Sequence, residues 1–176
     1  SLIVSAFAPL ENISFALTPQ IDLRGSKPTE LIFIDLAKGK KRMGGCIASQ
    51  VTNQLVGLVP DVECLEEMPK LVNILFKLIR QKKILSYHDR SDGGLFCTLI
   101  EMAFAGRCGL DIDLDKICNS DEEIIQTLFN EELGIVIQVN SEYKDEIIDL
   151  LSDAGLERNI FCIGSPDTSM DIKLSK

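Results

Sequence analysis

The sequence predicts an α+β fold in which helices cover a β-sheet. Short apolar runs with the length of strands alternate along the chain with segments of helical periodicity. Such alternation is typical of a sheet packed against helices, and we favour mixed strand directions over a purely parallel sheet. The length of 176 residues and the lack of internal repeats or low-complexity linkers indicate one domain.

Six apolar segments are predicted to be strands. The run LIFIDLA is almost continuously apolar, which indicates burial on both faces, whereas LDIDL alternates. The predicted strands lie at 2–9, 31–37, 84–88, 110–114, 133–139 and 160–164. After Gly164 the sequence is short and polar. We therefore expect the domain to span 1–164 and residues 165–176 to form a tail or the start of a following segment.

Helices are predicted between these strands from start and stop signals. The segment 66–83 is the clearest, because acidic residues and Pro69 open it, two lysines close it and its apolar residues recur at helical spacing. Ser120–Glu123 has the pattern of a capping box, and Gly155 suits a left-handed helix end. The predicted helices lie at 46–55, 66–83, 94–106, 120 to about 130, and 141 to just before 155.

The charge of the chain argues against nucleic acid as a partner. The formal net charge is −9, whereas a surface that binds phosphate backbones needs clustered Lys and Arg. The most basic segment is KGKKR at 38–42. We interpret it as a solvated loop, although a Gly-Gly pair follows it.

Several features indicate a piece of a larger cytoplasmic protein. No apolar run approaches the roughly 18–20 residues needed to cross a bilayer, and the start SLIVSAFAPLE lacks both a basic leader and an initiator methionine. The six cysteines form no C-x-x-C pair and His88 is the only histidine, so a zinc site is not expected. We predict free thiols in a reducing compartment. The cysteines are at 46, 64, 97, 108, 118 and 162.

The stretch YHDRSDGG, residues 87–94, concentrates polar side chains where a predicted strand meets a predicted helix. The N–H groups of a helix start and two glycines suit an anion, while Ser91 adds a hydroxyl and Asp89 a carboxylate able to hold Mg²⁺. The alternative is a turn in which Ser91 or Asp92 only caps the helix. The pattern is neither a Walker A loop nor the dinucleotide-binding glycine pattern. His88 is either a general base or, as we favour, a residue that positions the loop.

A resemblance to a known family favours the phosphate site. The stretch YHDRSDGGLFCTLIEMAFAGRCGLDIDL closely resembles part of phosphoribosylformylglycinamidine synthase, and GKKRMGGCIASQVTNQL and LFNEELGIVIQV resemble two further blocks in the same order. The opening SLIVSAFAPLE and the segment LTPQI also fit, so the resemblance covers about residues 1–140 closely. The matching region is the second of two AIR-synthetase-like C-terminal domains in the large bacterial type of that enzyme.

The resemblance implies a fold and a set of site residues. The fold would have three layers, α/β/α, with a mixed sheet and partly ferredoxin-like topology. Asp89 would be a Mg²⁺ ligand and Ser91 a contact of bound ATP or ADP, at a site that is either catalytic or structural in this family. The segment RMGGC departs from the usual RLGGS of the family, because Cys46 replaces a hydroxyl by a thiol.

The resemblance also implies a reaction and partners. The family uses ATP and glutamine to convert formylglycinamide ribonucleotide to the amidine in purine biosynthesis. The partners would be the nucleotide-holding synthetase domain and the glutaminase domain of the parent polypeptide, so the chain is expected to be inactive alone. Two other classes remain open from the residues: a small-molecule kinase of the wider superfamily, which also holds thiamine-monophosphate kinase and selenophosphate synthetase, and a non-catalytic scaffold domain.

Overall fold

A mixed six-stranded sheet forms the middle layer of the molecule. The computed structural model describes residues 4–9, 12–54 and 57–176. The strands are β1 (Thr29–Asp35), β2 (Ile84–Asp89), β3 (Gly109–Asp113), β4 (Gly134–Asn140), β5 (Ile160–Asp167) and β6 (Ile172–Ser175). The helices are α1 (Ile47–Val51), α2 (Glu67–Arg80), α3 (Gly94–Gly106), α4 (Ile124–Phe129) and α5 (Lys144–Asp153).

The strand order β2-β4-β1-β5-β3-β6 contains a ferredoxin-like core. All neighbouring strands pair antiparallel except β3 and β6, which are parallel. The unit β1-α2-β2 therefore straddles β4, and the unit β4-α5-β5 straddles β1, so two split β-α-β units interlock. The elements α3, β3 and α4 are inserted between them. The predicted mixed, partly ferredoxin-like sheet is confirmed.

The two faces of the sheet are buried by different helices. Along β1, Leu31 and Phe33 belong to the core on the side of α3 and α4, whereas Ile32 and Ile34 belong to the core on the side of α2 and α5. Successive residues of a strand point to opposite faces, so a continuous apolar run is what a doubly covered strand requires. The expected three-layer α/β/α arrangement is confirmed.

Two predictions about strands are wrong. The segment predicted at 2–9 is exposed and forms no strand over residues 4–9, and residues 2 and 3 lie outside the described part of the chain. The polar segment after Gly164 is not a tail, because β5 continues to Asp167 and β6 pairs with β3. The polar residues between these strands form their turn, in which the Ser169 amide donates to the Asp167 carboxylate at 2.8 Å. The polar residues after Asp167 thus belong to the connection between β5 and β6.

Helix ends differ from the predictions by a few residues. The helix predicted at 46–55 ends at Val51, and residue 55 lies outside the described part. Ser120 makes no side-chain cap, and a single 3₁₀ turn precedes α4. Gly155 has a φ of +82°, so the predicted left-handed end after α5 is confirmed. Within the described residues, no helix is long and apolar enough to span a membrane.

The orientation of α3 generates a stability prediction. Leu99 is 1% exposed in the core, whereas Phe104 on the same helix is 85% exposed. Leu99→Ala should lower the free energy of unfolding by about 2–5 kcal/mol, because it removes buried apolar volume and leaves a cavity. Phe104→Ala should change it by less than about 0.5 kcal/mol. Chemical denaturation measures both, and equal effects would contradict this orientation.

Candidate functional site

The junction between β2 and α3 is a tight glycine turn. Gly93 and Gly94 have φ values of +84° and +70°, in the left-handed region. A Cβ on Gly94 would lie 2.6 Å from the carbonyl oxygens of Leu128 and Asn130, at the end of α4. Glycine is therefore required here, since α3 begins in direct contact with the backbone that leaves α4.

The two predicted site residues lie on the outer side of this turn. Asp89 ends β2, and both Asp89 and Ser91 are exposed. The Thr98 hydroxyl, from the second turn of α3, contacts the Asp89 carbonyl at 3.3 Å. Burial, reinforced by the neighbouring Asp89 carboxylate, raises the pKa of Tyr87 to about 12. The carboxylate is thus accessible to a ligand while its backbone is held by α3.

Arg90, between these two residues, points into the protein. Its side chain is 1% exposed, and its Nη2 donates to Asp35 Oδ1 at 2.8 Å and to the Leu133 carbonyl at 3.0 Å. Its Nε donates to the Glu132 carbonyl, and the guanidinium stacks 5.0 Å from the centre of the Phe33 ring. Arg90 therefore anchors the turn to the ends of β1 and β4.

Glu131 joins the glycine turn to a second segment. Its Oε1 accepts a hydrogen bond from the Gly93 amide at 2.8 Å and another from the Ile47 amide at 2.8 Å. These amides open α3 and α1, so one carboxylate holds the starts of two helices. The segments DRSDGG, RMGGC and NEEL, which carry the family resemblance, therefore converge at one place.

Glu132 completes this convergence with a buried ion pair. Its carboxylate is fully buried and accepts from Arg42 Nη2 at 2.7 Å and from the Arg42 amide at 3.1 Å. Arg42 Nη1 also contacts Glu63 at 2.8 Å. The hydrogen bonds to Glu132 raise the pKa of Arg42 above its usual value. A buried carboxylate and a partly buried guanidinium, joined by several hydrogen bonds, fix the loop that precedes α1.

The basic segment 38–42 is not a freely solvated loop. Each of its cationic side chains contacts an acidic partner: Lys38 with Glu67, Lys40 with Glu63, Lys41 with Glu123, and Arg42 with Glu63 and Glu132. The segment therefore neutralises acidic side chains of α2 and of the segments that flank α2 and α4. The interpretation as a solvated loop is therefore confirmed for the exposed Lys38 and Lys40 but not for the partly buried Lys41 and Arg42.

His88 faces away from Asp89. Its Nε2 lies 2.6 Å from Glu101 Oε2, on α3. Neighbouring residues of a strand point to opposite faces, so His88 and the Asp89 carboxylate do not share a site. The geometry supports the preferred interpretation, in which His88 helps to position α3 beside β2.

The cysteines are free thiols among the described residues, as predicted. Cys46 is buried at the start of α1, where its Sγ accepts from the Ser49 amide at 3.4 Å. The thiol thus takes the place of the hydroxyl cap that the related RLGGS pattern would supply, with a longer and weaker hydrogen bond. Burial raises the pKa of Cys97, beside the glycine turn.

Sequence reasoning did not assign roles to Asp35, Arg42, Arg90, Glu131 or Glu132. The available signal was the NEE sequence inside an apolar context, because adjacent carboxylates close to a buried strand need partners. The partners themselves lie far away in the chain. Within the described residues, no three His, Cys, Asp or Glu side chains are arranged to hold a metal ion.

Comparison with known proteins gives the family. The pattern of the family described as AIR synthase related protein, C-terminal domain, matches residues 37–165. The match spans well over half of the sequence, and the chain belongs to this family.

Solved structures from two kinds of protein share the fold. PurLQS from Thermotoga maritima has a TM-score of 0.69 and 11% identity over 93% of this chain and 25% of its own. Phosphoribosylformylglycinamidine synthase II from the same organism has a TM-score of 0.66 and 13% identity over 90% of this chain and 25% of its own. The E. coli hydrogenase maturation protein HypE has a TM-score of 0.60 and 16% identity over 92% and 49%. The chain thus spans a quarter to a half of these proteins.

The buried ion pair generates a second prediction. Glu132→Gln keeps the size of the side chain but leaves Arg42 without its main counter-charge. The free energy of unfolding should fall by about 1–3 kcal/mol, because Arg42 keeps its contact with Glu63 but its N–H groups lose a charged acceptor at Glu132. Glu157→Gln, an exposed change of the same chemistry, should alter it by less than about 0.5 kcal/mol. Urea denaturation of both variants tests this, and similar small losses would contradict a structural role for Glu132.

The contact between Tyr87 and Asp89 generates a third prediction. The chain has two tyrosines, so Tyr143→Phe leaves Tyr87 as the one that titrates. In this background Asp89→Asn should lower the Tyr87 pKa from about 12, because the ionised Tyr87 no longer faces a carboxylate. Burial remains, so the value should stay above the ordinary ~10. A raised pKa in the folded state means that Tyr87 stabilises the fold below pH ~10, and this contribution is lost as pH rises towards 12. Spectrophotometric titration measures the Tyr87 pKa. An unchanged pKa in the Asp89→Asn variant would show that the Asp89 carboxylate does not interact with Tyr87.

Proposed function

We propose that the chain is the second AIR-synthetase-like C-terminal domain of a large, cytoplasmic phosphoribosylformylglycinamidine synthase. The observation that carries the proposal is the convergence of DRSDGG, RMGGC and NEEL on one turn, with Asp89 and Ser91 exposed on its outer side. Family membership and the fold of the T. maritima synthase support it. The whole reaction would be the ATP- and glutamine-dependent conversion of formylglycinamide ribonucleotide to its amidine.

In this proposal the exposed side of the turn contributes to a Mg²⁺–nucleotide site. Structures of T. maritima PurL have been solved with ATP, with ADP and with AMPPCP. Asp89 would hold Mg²⁺ and Ser91 would donate a hydrogen bond to the nucleotide. A single carboxylate fits this ion, which takes one or two carboxylates and completes its shell with phosphate oxygens and water. When bound, the ion neutralises phosphate charge at the site.

The remaining parts of the site would come from other domains. The chain spans 25% of the PurLQS chain, and one exposed carboxylate and one hydroxyl cannot enclose a nucleotide. We therefore propose that the nucleotide-holding synthetase domain covers the turn and that the glutaminase domain supplies ammonia. The chain alone would be inactive, because activation of the amide oxygen by phosphorylation needs the whole assembly.

Substitutions in the full-length parent test the site. Asp89→Ala should weaken binding of Mg²⁺–ATP or Mg²⁺–ADP more than Ser91→Ala does. The carboxylate contributes a full charge, whereas a neutral hydrogen bond contributes about 0.5–1.5 kcal/mol, or roughly two- to tenfold in affinity. Asp111→Ala removes an exposed carboxylate on β3 and serves as the control. Calorimetry and nucleotide content of the purified protein give the comparison.

The same variants separate a structural site from a catalytic one. At a structural site, loss of nucleotide should lower the melting temperature, because a ligand at about 100 times its dissociation constant stabilises by about 2.7 kcal/mol. At a catalytic site, amidine formation should fall while the melting temperature is nearly kept. If the Asp89→Ala protein keeps its nucleotide content, melting temperature and activity, the segment DRSDGG is only a capped turn and the proposed site is wrong.

A further inference from the structure

A cavity lies on the inner side of the β2–α3 turn, away from Asp89 and Ser91. It has a volume of about 380 Å³ and opens between α4 and the end of the sheet. Tyr87 packs against the core on the side of α2 and α5. The side chain of Asp89, two residues later in the same strand, points to that same face of the sheet. Arg90 instead contacts Phe33, which belongs to the opposite core, and lines the cavity. The cavity is therefore separate from the proposed nucleotide site.

The wall formed by the sheet is aromatic. Phe33 and Phe161 both line the cavity, with ring centres 6.2 Å apart and ring planes 30° apart. Phe33 is 2% exposed and lies beneath the Arg90 guanidinium, so the half-buried ring of Phe161 offers most of the surface on which a third planar ring packs in an offset or tilted arrangement. The wall therefore favours a flat, apolar ligand part.

Two polar groups on residues that line the cavity have no hydrogen-bond partner among the described residues. Arg90 uses Nε and Nη2 within the protein, but among the described residues none accepts a hydrogen bond from its Nη1. The buried hydroxyl of Thr127 also has no partner among these residues. Unpaired buried donors are unfavourable, and a charged guanidinium N–H prefers an ionised acceptor. The Arg90 Nη1 group is therefore a donor for which a ligand in the cavity would supply the acceptor.

The charge of the lining favours an anion. Three cationic side chains, Lys41, Arg90 and Lys116, line the cavity against two acidic ones, Asp35 and Glu123, although Lys116 also pairs at 3.5 Å with Asp113 outside the lining. The Asp35 carboxylate is already held by Arg90, and Glu123 by Lys41 at 2.7 Å. Neither acid therefore presents an uncompensated charge to an incoming anion.

We propose that this cavity is a second ligand site, which binds a small planar aromatic compound carrying one phosphate or carboxylate group. The ring lies against Phe33 and Phe161, and the anionic group accepts from Arg90 Nη1 and Lys41. The volume is near the lower end of ligand pockets, about 300–1,000 Å³, which suits one ring with one anionic group. This proposal does not depend on the proposed function.

The test uses phenyl phosphate as the probe on the full chain, with calorimetry and amide chemical shifts as readouts. Phenyl phosphate should bind and shift the amides of Thr127 and Asn130, which line the cavity. Inorganic phosphate, which lacks the ring, and phenol, which lacks the charge, should each bind at least about tenfold more weakly, since a charge-assisted hydrogen bond or an aromatic contact contributes on this scale. Benzoate distinguishes a carboxylate site from a phosphate site.

A matched pair of lysine variants locates the binding. Lys41→Gln should weaken phenyl phosphate about tenfold, whereas Lys40→Gln, next in sequence but outside the cavity and paired with Glu63, should leave binding unchanged. Phe161→Leu should weaken binding of phenyl phosphate and reduce the ratio of its affinity to that of inorganic phosphate. Circular dichroism verifies the fold of each variant.

Several outcomes would overturn the proposal. They are no binding of either aromatic anion, equal losses in the two lysine variants, or equal affinities for phenyl phosphate and inorganic phosphate. Loss of binding in Ser91→Ala would place the probe at the nucleotide turn and would also overturn it.

Discussion

The acidic pair Glu131–Glu132 is the constraint on which the polar end of this molecule depends. One carboxylate accepts from amides that open α1 and α3, and the other forms a buried ion pair with Arg42. Charge-assisted hydrogen bonds in a poorly solvated place are strong, and removal of either acid would leave several donors unpaired. The two residues lie directly before β4, so a central strand of the sheet sets the position of both glycine segments.

This arrangement changes what the start of α3 is able to bind. A helix start after a glycine turn suits an anion, but here the Gly93 amide already donates its hydrogen bond to the Glu131 carboxylate. A nucleotide that approached the outer side of the turn would meet Asp89 as well, so carboxylates lie on both sides of the turn. Phosphate groups would be repelled unless a divalent cation lay between them and Asp89. The internal use of the amide therefore makes Mg²⁺ more important to the proposed site.

Local sequence was enough for the covered strands and long helices, because burial leaves a periodic pattern. The bounds of α3 agreed with the prediction, and β1 and β2 differed by a residue or two. The errors fell where tertiary contacts decide. The apolar run at 2–9 has no neighbouring strand over its described residues, whereas β6 is short and exposed and exists because β3 pairs with it. In the site, the Glu131 and Arg42 contacts join residues 84 and 90 positions from their partners, which no local pattern reveals.

The alternation of a strand explains how one short turn carries two chemistries. Asp89 and Ser91 point outward with a carboxylate and a hydroxyl, while Arg90 between them carries its charge inward, beneath Phe33. The desolvation of that guanidinium is offset by Asp35, by two carbonyl oxygens and by the aromatic ring. Replacement of Arg90 by an apolar residue would take the guanidinium partner from Asp35, and of the Arg90 hydrogen bonds only the one from its amide to the Gly134 carbonyl, at 2.8 Å, would remain. The outward geometry of Asp89 and Ser91 thus depends on a residue that the proposed nucleotide does not touch.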